Sequence, residues 1–133
     1  MKLLTLSLIF DRFRPQVRDR WREQGGPGSG IWYDLAPHLL DQAITLFGLP
    51  VSMTVDLAQL RPGAQSTDYF HAILSYPQRR VIPRTMLAAA ESARYIVNCG
   101  SRGSYVKYGL DPTGRTSEKW RALTAGRLGL LYA

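Results

Sequence analysis

Gly48-Leu49-Pro50 divides the chain into two regimes of hydrophobic periodicity. Before it, Ala36, Leu39, Leu40, Ala43, Ile44 and Phe47 recur at helical spacing and make one apolar stripe. After it the period becomes two. "VSMTVDLAQL" sends Val51, Met53, Val55 and Leu57 to one face and Ser52, Thr54 and Asp56 to the other. "RPGAQST" is a turn, "DYFHAILSY" a second strand stopped at Pro77, and "RVIPRTMLAAA" a third, bent or pushed to an edge by Pro83. "RYIVNC" and "SYVKYG" flank "GSRGS" and read as a hairpin. Upstream, residues 3–13 alternate as a strand, Pro15 to Glu23 read as a loop, and "GGPGSG" at 25–30 is a glycine-rich connector.

One strand, one helix and then strands with no helix between them favour antiparallel pairing, because parallel neighbours need long crossovers. A single helix can cover only one face of the resulting sheet. The predicted class is therefore α+β: a mostly antiparallel, open-faced sheet with one main helix packed on one face. The helix is predicted over 34–47, with Gly48 closing it and Pro50 blocking its continuation. Pro37 is expected in the first helical turn, which puts Asp34 at or near the N-cap. Beyond Leu110 the pattern decays, and one short helix is expected near 117–125.

The 133 residues suit one domain, and the single cysteine, Cys99, cannot form an internal disulfide. That usage fits a reducing, cytoplasmic setting. No apolar run reaches the ~18 residues that a membrane-spanning helix needs. "MKLLTLSLIF" has the apolar character of a leader, but it alternates, lacks a small-residue cleavage site and runs straight into "DRFRP", so a strand is expected. The net charge is +7. Its densest basic run, "DRFRPQVRDRWRE", is interrupted by Asp11, Asp19 and Glu23, and a self-paired solvated surface is expected there, with no nucleic-acid partner.

Asp34, His38, Asp41 and Thr45 fall on the polar side of the helix. A histidine one turn from a carboxylate is placed for proton transfer near neutral pH. By pattern alone a second reading stands beside it: Asp34 is an N-cap and His38 an ordinary surface residue. The Asp-x3-His-x2-Asp spacing lacks the further ligands of a closed metal site, so none is expected. The glycines at 25–30 do not follow the phosphate-loop pattern.

The stretch "GSGIWYDLAPHLLDQ" resembles the glycine-rich, Asp-x-Gly-x-His-x-x-Asp signature of the Gfo/Idh/MocA oxidoreductases, which are NAD(P)-dependent dehydrogenases of sugars, cyclitols and related polyols. The resemblance extends through "FDRFRP", "DLAQLRPGAQSTDYFHAILSYPQRR" and "ESARYIV…GSRGSYVKYGLDP", over roughly residues 8–112, and concerns that family's C-terminal α/β domain, whose fold is dihydrodipicolinate-reductase-like. It implies that His38 is the acid/base exchanging a proton with a substrate hydroxyl and that Asp34 binds substrate hydroxyls and orients that exchange. Trp32 and Tyr33 are candidates for lining the substrate pocket, or for packing. Ala36 stands where the family has glycine. No G-x-G-x-x-G and no Glu-Lys-Pro segment with the family's catalytic lysine occurs. The expectation is a substrate and oligomerisation domain over 1–112 followed by a divergent tail at 113–133, with vestigial site residues. No cofactor is expected for this chain, although NAD(P) serves the full-length family. Self-association through the open sheet face is expected, with a polyol as the small-molecule ligand.

Overall fold

The computed structural model describes residues 2–109 of the chain. The order of elements is β1 (Leu3–Phe13), α1 (Ile31–Phe47), β2 (Ser52–Ala58), β3 (Tyr69–Tyr76), β4 (Arg79–Met86), β5 (Ala88–Gly100) and β6 (Ser104–Tyr108). The strands form one six-stranded sheet in the order β2-β3-β4-β1-β5-β6. Every neighbouring pair is antiparallel except β1 and β4, which run parallel. The expected class is found, with this parallel seam at its centre. The short helix expected near 117–125 and the tail at 113–133 lie outside the described residues.

The helix covers one face by matching its stripe to the strands' alternation. Leu6 and Leu8 of β1, Phe70, Ala72, Leu74 and Tyr76 of β3, and Val81 of β4 turn to the same side. Ile31, Ala36, Leu39 and Ala43 of α1 meet them. Phe70, Leu74, Val81 and Leu39 are almost wholly buried. Tyr76 ends this row, donating its hydroxyl to the Gly48 carbonyl at 2.9 Å and so tying the end of the helix to the sheet. Burial pushes its phenol above the usual range, and the nearby Arg79 opposes that shift.

Among the described residues no helix lies over the opposite face. On this side Thr54 pairs with Ile73, and Ile82, Ser7, Val97 and Val106 align across β4, β1, β5 and β6. The residues of β2 expected on one face do share it: Met53, Val55 and Leu57 pair with Leu74, Ala72 and Phe70 on the helix side. β2 is an edge strand, so Val55 packs against the core while Met53 and Leu57 stay exposed, as does Val51 just before the strand.

Three local expectations need correction. The helix starts at Ile31, three residues early, with Gly30 as N-cap, so Asp34 lies inside the first turn and makes no cap hydrogen bond. Pro37 therefore sits within the helix and not in its first turn. It is exposed, as is Tyr33 four residues back, whose carbonyl would otherwise have received the missing N–H and can bond to water on that side. Pro83 is neither at an edge nor at a bend, because β4 lies between β3 and β1 and Pro83 is fully buried. The β1–β4 ladder runs through it, whereas the β3–β4 register lapses between His71↔Arg84 and Leu74↔Val81, where the absent N–H would have bonded.

"RVIPRTMLAAA" is also two strands and not one. Leu87 carries the chain from β4 to β5, which flank β1 on opposite sides. Its N–H donates to the Asp68 carbonyl at 3.0 Å, and its carbonyl accepts from the Arg14 N–H at 2.8 Å, while the side chain is buried. The central stripe predicts its own test. Leu39→Ala, which empties a site closed on all sides, should lower stability by ~2–5 kcal/mol in a denaturant melt.

Candidate functional site

The N-terminus of α1 is held between two other segments. The Gly30 N–H donates to the Arg22 carbonyl at 2.6 Å, and the Ile31 N–H donates to the Thr67 carbonyl at 2.8 Å. Gly30 has φ of 91°, a left-handed value, and a Cβ there would lie 2.9 Å from the Thr67 nitrogen. Only glycine meets both conditions. The last glycine of the connector thus permits the close approach of helix and turn.

Beneath this junction is a buried charge network. Arg61 and Asp68 have side chains only 2% and 1% exposed, and Arg61 Nε donates to Asp68 Oδ2 at 3.0 Å. The Leu60 and Arg61 N–H groups also donate to the Asp68 carboxylate, at 2.7 and 3.0 Å. Arg61 Nη1 reaches the carbonyls of Arg14 at 3.0 Å and Gln16 at 3.2 Å, and Glu23 Oε1 at 3.4 Å. The other Glu23 oxygen accepts from the Arg18 N–H. Burying such charges is costly unless their lone pairs and protons are satisfied, and here backbone groups complete the set. The network clamps the 14–24 loop to the 60–68 turn.

Above it lies a small cleft of about 60 Å3, lined by Arg14, Arg20, Arg22, Asp34, Ser66 and Thr67 among others. Asp34 is half-buried there, with Arg22 Nη1 3.5 Å from its Oδ1. It stands in the first turn of the helix, where the macrodipole favours a negative charge. Of the predicted site residues, the structure brings Asp34 to the cleft. His38 follows one turn later on the exposed side of the same helix. Trp32 packs inward, its ring edge-on to Phe70 with centroids 5.2 Å apart, and Tyr33 is exposed. Neither is among the residues lining the cleft. Ala36, where the resemblance led us to expect glycine, is helical and buried against the core, so the added methyl contributes packing without strain.

Sequence reasoning missed the arginines. "DRFRPQVRDRWRE" was expected to be a self-paired surface, yet it supplies Arg14, Arg20 and Arg22 to one cleft and Glu23 to a buried network. The signal available was the pairing of Arg61 and Asp68 across "RPGAQSTD", opposite charges bracketing a Pro-Gly turn. Among the described residues no group of three or more His, Cys, Asp or Glu side chains is arranged to hold a metal ion. Among the described residues no helix is long and apolar enough to cross a membrane.

Among the described residues, one helix on one face of a six-stranded sheet places a carboxylate in a polar cleft, an arrangement of the α+β class. Residues 2–125 match the oxidoreductase family's C-terminal alpha/beta domain, of the Gfo/Idh/MocA type, and the chain belongs to that family. It is 95% identical over 104 residues to the uncharacterized oxidoreductase YdgJ of Escherichia coli, covering 77% of this chain and 30% of that protein. It is 36% identical over 108 residues to the scyllo-inositol 2-dehydrogenase (NADP+) IolW of Bacillus subtilis, covering 80% of this chain and 30% of that one. Among solved structures, an oxidoreductase from Bacillus cereus superposes with a TM-score of 0.70 at 28% identity, covering 96% of this chain and 34% of the other. The chain thus spans about 30% of the length of the curated relatives it matches.

The geometry separates structural from chemical residues. Asp68→Ala leaves Arg61 buried and unpaired and should cost ~3–5 kcal/mol. Asp34→Ala, removing a partly solvated pair without a cap bond, should cost less than ~1 kcal/mol. Gly30→Ala should cost at least ~1–3 kcal/mol from backbone strain alone. Urea melts of the three variants check the ranking, and an Asp34→Ala loss as large as that of Asp68→Ala would contradict it.

Proposed function

We propose that this chain is the substrate-side domain of an NAD(P)-dependent oxidoreductase of the sugar and cyclitol type. The observation that carries this reading is the placement of Asp34 in a polar cleft at the start of α1, with His38 one turn along the same helix. The name of the Bacillus subtilis relative, an inositol dehydrogenase using NADP+, supports the substrate class. In this reading Asp34 accepts hydrogen bonds from substrate hydroxyls and holds the ring in one orientation. His38 takes the proton of the hydroxyl being oxidised, or returns it in the reverse direction, as an imidazole can act as base or acid.

The described residues do not fit a dinucleotide. The one helix N-terminus has its Gly30 and Ile31 N–H groups already bonded to backbone carbonyls, and the space a pyrophosphate would approach through Gly30 is filled by Thr67. The helix follows a loop, not a parallel strand. The hydride acceptor would have to be held by another unit, and for this chain we take the substrate-side groups alone. The 133-residue chain should accordingly give no saturable NADPH signal by fluorescence or calorimetry at millimolar cofactor, and no turnover with inositols or aldoses. Saturable binding would sink this part of the reading.

A second reading, a non-catalytic self-association module, is favoured by one feature. Ile73, Ile82, Val97 and Val106 share a sheet face that no helix covers among the described residues. Association of two copies through this face would bury it. Light scattering at high micromolar concentration should show a dimer or larger species, and replacing Ile73 and Ile82 by Lys should shift it to monomer. A wild-type chain that stays monomeric excludes this mode.

A further inference from the structure

The arginines of the cleft exceed what the fold uses. Glu23 and Asp68 both turn inward to Arg61, so their charge is spent beneath the cleft. Asp34, the remaining acid on the cleft's lining, meets Arg22 at 3.5 Å. Arg14 and Arg20 face no carboxylate within ion-pair distance among the described residues.

These side chains also rise from fixed points. The Arg14 carbonyl accepts from Arg61 Nη1 at 3.0 Å. The Arg20 carbonyl accepts from the Glu23 and Gln24 N–H groups at 2.9 and 3.1 Å. The Arg22 carbonyl accepts from the Gly30 N–H at 2.6 Å and from Ser66 Oγ at 3.2 Å. Three of the five arginines in the mixed-charge stretch at 11–23 thus line one cleft. With Glu23 turned to Arg61, the lining carries more positive than negative charge, a field that favours an anion. A neutral polyol would leave that excess unmatched.

We infer that the ligand of this cleft carries an acidic group, a carboxylate or a phosphate ester, held by Arg14, Arg20 and Arg22 beside Asp34. The inference deepens the polyol reading and rests on it only for the rest of the ligand. The planar guanidinium forks suit oxyanions with paired oxygens. Asp34 meanwhile repels a second acid and accepts hydroxyl protons, so the favoured ligand has one acidic end and a hydroxylated body, as in an aldonate or a sugar phosphate. His38, one turn further along α1, is then on the side of the hydroxylated body.

The test is a heteronuclear NMR titration of the full chain, following backbone amides and arginine side chains, with glucose, gluconate, glucose 6-phosphate and inorganic phosphate as probes. The expected result is that gluconate or glucose 6-phosphate shifts residues 20–34 and saturates at about tenfold lower concentration than glucose. Which of the two binds tighter distinguishes carboxylate from phosphate. The Arg20→Gln, Arg22→Gln double variant should lose that preference while its remaining amide spectrum stays unchanged, and the corresponding lysine variants should keep part of it. If inorganic phosphate shifts the cleft and no sugar does, the acidic-group inference stands and the polyol reading falls. If glucose binds as tightly as the acids, the inference falls and the polyol reading stands. Equal shifts at Arg79, Arg80 and Arg102 would mean adventitious ion binding only and would overturn it. So would the absence of any shift.

Discussion

The ion pair of Arg61 with Asp68 is the contact on which the rest of the cleft depends. Neither group could be buried alone, because an unpaired charge in such a place costs several kcal/mol. Together they are tolerated only because backbone N–H groups fill the carboxylate's lone pairs and backbone carbonyls take the guanidinium's protons. Those backbone groups belong to the loop at 14–16 and the turn at 60–61. Satisfying the pair therefore fixes two irregular segments that no regular ladder would have held. Glu23 extends the same network to the residues beside Arg22, and Arg22 in turn receives the helix through Gly30. A charge pair thus orders a site whose strands and helix were positioned by apolar burial.

This division explains what could be read in the sequence. The bounds of β1, the apolar stripe of α1, the β5–β6 hairpin and the α+β class all follow from periodicity and turn residues, because one buried face imposes the pattern. Asp34 and His38 could be named because they sit on that helix at readable spacing. The helix start was misplaced because Asp34 looks like a cap by residue type, while the cap was set by a tertiary contact, the Thr67 backbone against Gly30. Pro83 misled for a related reason. A proline argues against an interior strand only where its N–H is needed, and a local lapse in the β3–β4 register removes that need. The arginine cleft was invisible because charges have no period, and their partners lie some forty residues away, as Arg61 does from Arg14.

The junction of loop, turn and helix also decides what the start of α1 presents. Its Gly30 and Ile31 N–H groups are spent in joining loop and turn. Beyond them stand a carboxylate in the first turn, with Arg22 3.5 Å away, and a histidine one turn later on the exposed side.

The parallel seam between β1 and β4 has a consequence for how the chain acquires its shape. β1 is made first, yet both of its neighbours come late: Thr5 pairs with Arg80 on one side and Leu3 with Gly100 on the other. While the chain is being synthesised, β2 and β3 can zip together and α1 can form, but an apolar eleven-residue strand waits with both edges bare until nearly the whole sheet has emerged. Closing such distant contacts is slow, and an unpaired apolar strand is a template for pairing with other chains. Until β4 and β5 are both in place, β1 therefore offers two open edges to any strand that meets it.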